Sequence, residues 1–192
     1  METGNSTRAT LLILGGGLLI GLTIGAVVFF GLPTTQTATA GGAPTTVAAG
    51  AAPITGSPAP DFTLKNIHGQ EVTLSKFKGQ AALINFWATW CGPCRIEMPA
   101  MEAAYQKYKD EGFVVLAVDA DEPLKDVTEF VNDLGLTFEI LMDPGSTVND
   151  RYQIRAYPTS FFVGRDGTIV SLQIGSMTES QLEENLAKIL PK

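Results

Sequence analysis

Hydrophobic and polar positions follow one another along this chain in three regimes. From Leu11 to Leu32 there are 22 residues without a charge, enough at ~1.5 Å per residue to span about 33 Å as a helix and so to cross a bilayer. Residues 33–60 lose both the apolar density and any periodicity. From Asp61 onward the runs become short. Phe62-Thr63-Leu64 and Val72-Thr73-Leu74, on either side of His68-Gly69-Gln70, predict a hairpin with an exposed turn. Ala81 to Trp87 is an apolar run of strand length, and Phe113 to Val118 is the near-continuous kind that a strand covered on both faces requires.

Helical periodicity fills the intervals. Cys94 to Lys109 places Met98, Met101, Tyr105 and Tyr108 on one face, a core stripe, with Pro99 expected to kink the helix. Leu124 to Leu134 predicts a second helix and Ser146 to Tyr152 a short third. Phe138 to Met142 reads as a strand, and Thr159 to Val163 turns at Asp166-Gly167 into Thr168 to Ile174. A last helix starts at Thr178, whose spacing to Gln181 matches a capping box, and stops before Pro191. Strands alternating with helices, closed by a hairpin and a helix, predict an α/β domain with a mixed sheet and helices on both faces.

Composition and charge give these regimes their roles. Residues 33–60 hold eight Ala, seven Thr, five Pro, four Gly and no charge, the makings of a disordered, flexible linker with a reach of roughly 30 Å. The expected organisation is therefore a short N-terminus at 1–10, one transmembrane helix at 11–32, the linker at 33–60 and a folded domain at 61–192. Arg8 precedes the span and no Lys or Arg follows until Lys65. Residues 1–10 are then cytoplasmic and the domain lies outside the cytoplasm, where a disulfide can persist. Ala38-Thr39-Ala40 offers the alternative of a cleaved signal sequence, but the length of the apolar run favours an anchor. Gly17, Gly21 and Gly25 make two consecutive GxxxG steps, a spacing through which two spans could pack as a homodimer. The domain's 12 Lys and Arg against 19 Asp and Glu leave it at −7, the charge of the whole chain, which makes nucleic acid an unfit partner.

Chemistry concentrates at residues 88–99, where the chain carries its two cysteines, Cys91 and Cys94, across Gly92-Pro93. As a staple the pair is weak, since bridging them closes about four residues and constrains the unfolded chain by only ~2 kcal/mol. Structural zinc takes four Cys or His ligands, and besides these two sulfurs there is one histidine, His68. Arg95 follows the CxxC where a haem-attachment pattern needs His. No cofactor is required. A reversible redox couple, by contrast, has a mechanism: Cys91 follows a strand and falls where a helix begins, with Pro93 in the first turn, so it serves as the N-cap. There its sulfur faces the free N–H of Cys94 and the positive end of the helix dipole, both of which favour thiolate. A contribution of ~0.3 to 2 kcal/mol brings a thiol pKa from about 8.5 toward 7. Cys91 would attack, and Cys94, one turn in, would resolve the mixed disulfide.

Ala59-Pro60-Asp61-Phe62, Asn85-Phe86-Trp87-Ala88-Thr89-Trp90-Cys91-Gly92-Pro93-Cys94-Arg95, Glu97-Met98-Pro99 and Tyr157-Pro158-Thr159 together resemble the TlpA/ResA-type membrane-anchored thioredoxin-like proteins. The likeness runs in order over residues 59–192. It implies a thioredoxin fold with an N-terminal β-hairpin, a central α/β insertion around residues 122–142, and reduction of protein disulfides outside the cytoplasm. It also implies a cis peptide bond before Pro158, beside the two sulfurs, leaving the Tyr157 backbone open to an extended substrate; many relatives carry a smaller residue there. Asn85 falls where cytoplasmic thioredoxins carry a buried Asp, and an Asn cannot accept a proton. Glu97, three residues after Cys94 with no basic helical neighbour, is the candidate carboxylate in its place, with an ordinary boundary residue as the alternative. Trp90 either covers the disulfide and touches substrate or simply packs.

The resemblance further implies a disulfide-containing protein substrate, of which an apocytochrome c awaiting haem is one case, and a membrane dithiol as electron donor. Two rivals stand beside this reading. The region around Phe62 to Trp87 also looks like the redoxin and peroxiredoxin group, but those thiol peroxidases place a Thr three residues before the attacking cysteine, and here that position is Ala88. A peptide-binding module without turnover would have no use for both sulfurs. The acidic cluster Asp119, Asp121, Glu122 and Asp126 reads as a solvated loop and helix start.

Overall fold

The computed structural model describes residues 53–191. The expected span at 11–32, its Gly17, Gly21 and Gly25 face, and residues 33–52 of the linker lie outside the described residues. Among the described residues no helix is long and apolar enough to cross a membrane.

The elements are β1 (Thr63–Asn66), β2 (Glu71–Thr73), β3 (Ala81–Trp87), α1 (Gly92–Tyr108), β4 (Phe113–Asp119), α2 (Leu124–Leu134), β5 (Glu139–Met142), α3 (Thr147–Arg151), β6 (Thr159–Val163), β7 (Ile169–Ile174) and α4 (Glu179–Ile189). Seven strands form one sheet in the order β2-β1-β5-β4-β3-β6-β7. The central strands β3, β4 and β5 run parallel, and the flanking pairs are antiparallel. β3 has no exposed residue on either face, in keeping with its unbroken apolar run. Its odd positions, with those of β4, pack against α1, α2 and α4. Ile84 and Phe86 face the other way, against Phe62, Val148 and Tyr152.

Local signals account for most element boundaries. Thr178 caps α4 through its hydroxyl on the Gln181 N–H, and the Gln181 side chain returns to the Thr178 N–H. Gly135 ends α2 in the left-handed conformation with φ 64°, which glycine adopts without strain. α1 continues through Pro99 to Tyr108, and Met98 and Met101 are fully buried beneath it. Asp143, wholly buried, holds the start of α3 by accepting from the Val148 and Asn149 N–H groups.

One boundary differs from the sequence pattern. Part of the stretch expected as linker belongs to the folded domain: the Gly56 N–H donates to the Ile169 carbonyl at 2.8 Å, Ile169 returns a bond to Ser57 at 2.9 Å, and Ala59 donates to Gly167 at 2.9 Å. Pro58 bridges Thr168 in antiparallel register. These bonds depend on a partner more than 100 residues away, which no window of composition reveals.

Candidate active site

β3 delivers the chain to the site. It ends at Trp87, and Ala88-Thr89-Trp90 lead directly into Cys91, the N-cap of α1, with φ −80° and ψ 100°. The Arg95 N–H closes the first helical turn on the Cys91 carbonyl at 3.2 Å. Cys91 and Cys94 are joined as a disulfide, and Cys91 Sγ accepts from the Cys94 N–H at 3.2 Å. Cys91 is 5 % exposed and Cys94 0 %, so the two sulfurs differ in access. Gly92 and Pro93 are exposed in the first turn. No acidic group stands in that turn; the helix end itself supplies a positive potential that favours a thiolate.

Glu97 lies one turn beyond Cys94 and is 3 % exposed. It accepts from Asn85 Nδ2 at 3.0 Å and from the Met177 N–H at 3.1 Å. Burial outweighs those two bonds and pushes its pKa up to about 7. Asn85, at the centre of β3, also donates to Ser160 Oγ at 2.9 Å, and its Oδ1 has no protein partner. The two residues singled out in the sequence thus form one buried hydrogen-bonded unit under the disulfide-bearing turn.

The opposite rim comes from β6. The Tyr157–Pro158 bond is cis, and pairing of Phe86 with Thr159 sets Pro158 level with the end of β3. Trp90, 69 % exposed, meets the edge of the Tyr157 ring at 5.7 Å between centroids. Packing in the core is therefore not what places Trp90.

Sequence reasoning missed a second polar group at this end of the sheet. Asp119 and Glu122 are not a solvated loop: Asp119 is completely buried, and Glu122 accepts from the Thr89 N–H at 2.6 Å and the Thr89 hydroxyl at 2.5 Å. A signal for Asp119 was present, because it continues the alternation of Phe113, Val115 and Ala117 on one face of β4. Among the described residues no cluster of His, Cys, Asp and Glu is arranged to hold a metal ion.

A disulfide capping the first turn of a helix that leaves a central parallel strand, opposite a cis-proline, defines a thioredoxin-like dithiol–disulfide site. Residues 55–172 match the AhpC/TSA family. The thiol-disulfide oxidoreductase ResA of Bacillus thuringiensis is 42 % identical over 136 residues, 71 % of this chain and 79 % of that one. Among solved structures, a Chlorobium tepidum chain assigned as the thiol:disulfide interchange protein DsbE is similar at TM-score 0.68 and 34 % identity, covering 72 % of this chain and 99 % of its own. The thioredoxin domain of a Bacteroides vulgatus thiol-disulfide oxidoreductase is similar at TM-score 0.65 and 28 % identity, over 72 % and 99 %. The chain belongs to the AhpC/TSA family and, within it, to the ResA-type thiol-disulfide oxidoreductases.

Proposed function

We propose that this oxidoreductase acts as a reductant of protein disulfides outside the cytoplasm, tethered by residues 11–32, with apocytochrome c awaiting haem as its substrate class. The single observation that carries the reading is the Cys91–Cys94 disulfide at a helix N-cap with Glu97 buried one turn beyond. In the reduced protein the Cys91 thiolate attacks one substrate sulfur, forming a Cys91–substrate disulfide. The other substrate sulfur leaves as a thiolate and takes up a proton. The Cys94 thiol gives its proton to Glu97, whose pKa of about 7 suits it to accept and return protons near neutrality. The Cys94 thiolate then attacks Cys91 Sγ and releases the second substrate sulfur. Two electrons have passed to the substrate, and a membrane dithiol returns them to the protein.

Trp90 and Tyr157 supply the apolar contact for an extended substrate, and the backbone at Tyr157 its strand-like pairing. Expressing Cys94→Ser in the native membrane and identifying proteins trapped on Cys91 tests this directly. Capture of an apocytochrome c is expected. Recovery of no mixed disulfide, together with failure of the wild-type chain to reduce a disulfide, would sink it. Membership of the AhpC/TSA family also brings a peroxidase reading. Ala88, fully buried and lacking a hydroxyl, opposes it, and peroxide consumption above that of free dithiothreitol would revive it.

A further inference from the structure

Trp90 and Tyr157 stand on different loops: Tyr157 is half-buried and packs against the core, whereas Trp90 is 69 % exposed and nothing in the core fixes it. Exposed aromatic side chains on loops lose rotamer freedom when they bind, so an effective docking pair needs something to hold it beforehand. A continuous chain of contacts around the rim does this. Glu122, in the loop between β4 and α2, grips Thr89 twice, at 2.6 Å through the backbone N–H and at 2.5 Å through the hydroxyl. Thr89 is the residue before Trp90. The Glu122 N–H in turn donates to Asp119 Oδ2 at 2.8 Å.

The chain continues to the other wall. Asn149 Nδ2 donates to the Asp119 carbonyl at 3.1 Å and to Asp143 Oδ2 at 2.9 Å. Its Oδ1 accepts from the Tyr157 hydroxyl at 2.8 Å. The Tyr157 ring then meets Trp90 edge to face, which closes the circuit. Asp119, Asp143 and Asn149 are all buried, and among the described residues neither Asp119 nor Glu122 forms a salt bridge. Burying carboxylates without a cation costs stability, and ordinary loop closure does not call for it.

We propose that Glu122 is a positioning residue for substrate selection: it fixes Thr89, and through Thr89 sets Trp90 against Tyr157 as the docking pair for a polypeptide disulfide. The inference rests on the oxidoreductase reading and deepens it. A small disulfide needs access only to Cys91, whereas a polypeptide must also lie across the two aromatic rings. Selectivity for the larger substrate is therefore what Glu122 controls.

The test mixes the reduced full chain with a peptide bearing an oxidised Cys-x-x-Cys-His segment, or with oxidised glutathione, and counts thiols after acid quench. Glu122→Ala is expected to lower the ratio of peptide to glutathione kcat/KM about fivefold or more, chiefly through the peptide KM. Glu122→Gln, whose amide can still accept from the Thr89 N–H and donate to its hydroxyl, is expected to recover most of that ratio. Tyr157→Phe, which removes only the bond to Asn149, is expected to shift it in the same direction as Glu122→Ala. In a Trp90→Ala background the Glu122→Ala effect on the ratio should vanish, because the two residues act in series. An undiminished Glu122→Ala effect in that background, or equal losses for peptide and glutathione, overturns the proposal. A wild-type chain that reduces neither disulfide overturns the oxidoreductase reading, and the inference with it.

Discussion

Glu97 links the stability of this protein to pH through a buried side chain. Its folded pKa is raised from 4.5 to about 7 by burial. Between those values the unfolded chain has released its proton and the folded chain has not, so stability falls as pH rises, by ~3 kcal/mol in total, and levels off above about 7. Asp119, also raised to about 7 by burial and by neighbouring Glu122, adds a slope of the same sign. Thermal melts of Glu97→Gln from pH 5 to 8 should therefore show a shallower decline than wild type; parallel curves would contradict the assignment. The burial of Glu97 was legible beforehand because its helical spacing sets it beside Cys94 and the Met98 and Met101 stripe. Glu122 was not, since its partner Thr89 lies 33 positions away and a run of acidic residues carries no mark of burial.

At the level of elements, the periodicities were sufficient wherever burial follows from position in one segment. Leu124–Leu134 and Thr159–Val163 have the bounds their patterns predict, and α4 begins behind the capping box at Thr178. Thr178→Ala removes the hydroxyl that accepts from the Gln181 N–H and should cost ~1 kcal/mol in denaturant titration with little change in slope. No measurable shift in midpoint would mean the box contributes nothing. Strand order is where local reading stops. That β1 pairs with β5 through Lys65–Met142, or that β3 lies between β4 and β6, follows from which faces the helices cover, and the thioredoxin arrangement came from the family resemblance instead. The two cysteines were legible as an N-cap pair because strand, turn and Pro93 adjoin them in sequence.

For the molecule as a whole, the segment ahead of Asp61 decides where the domain starts. Its three backbone bonds to Gly167 and Ile169 cover part of the edge strand β7, and exposed strand edges invite association. A chain beginning at Asp61 should be less stable than one beginning at Pro53 by ~2 kcal/mol, at about 0.5–1.5 kcal/mol per lost bond. Equal melting temperatures for the two would show that the segment adds nothing. In the proposed mechanism Cys91 is the sulfur that meets substrate and Cys94 the one that resolves. Reacting the reduced Cys91→Ser and Cys94→Ser chains separately with oxidised glutathione, and following adduct formation by intact mass, tests it most directly. Rapid accumulation of a stable glutathione adduct is expected on Cys94→Ser and a much slower one on Cys91→Ser, whose remaining sulfur has no exposed surface; equal rates, or faster reaction at Cys94, would contradict these roles.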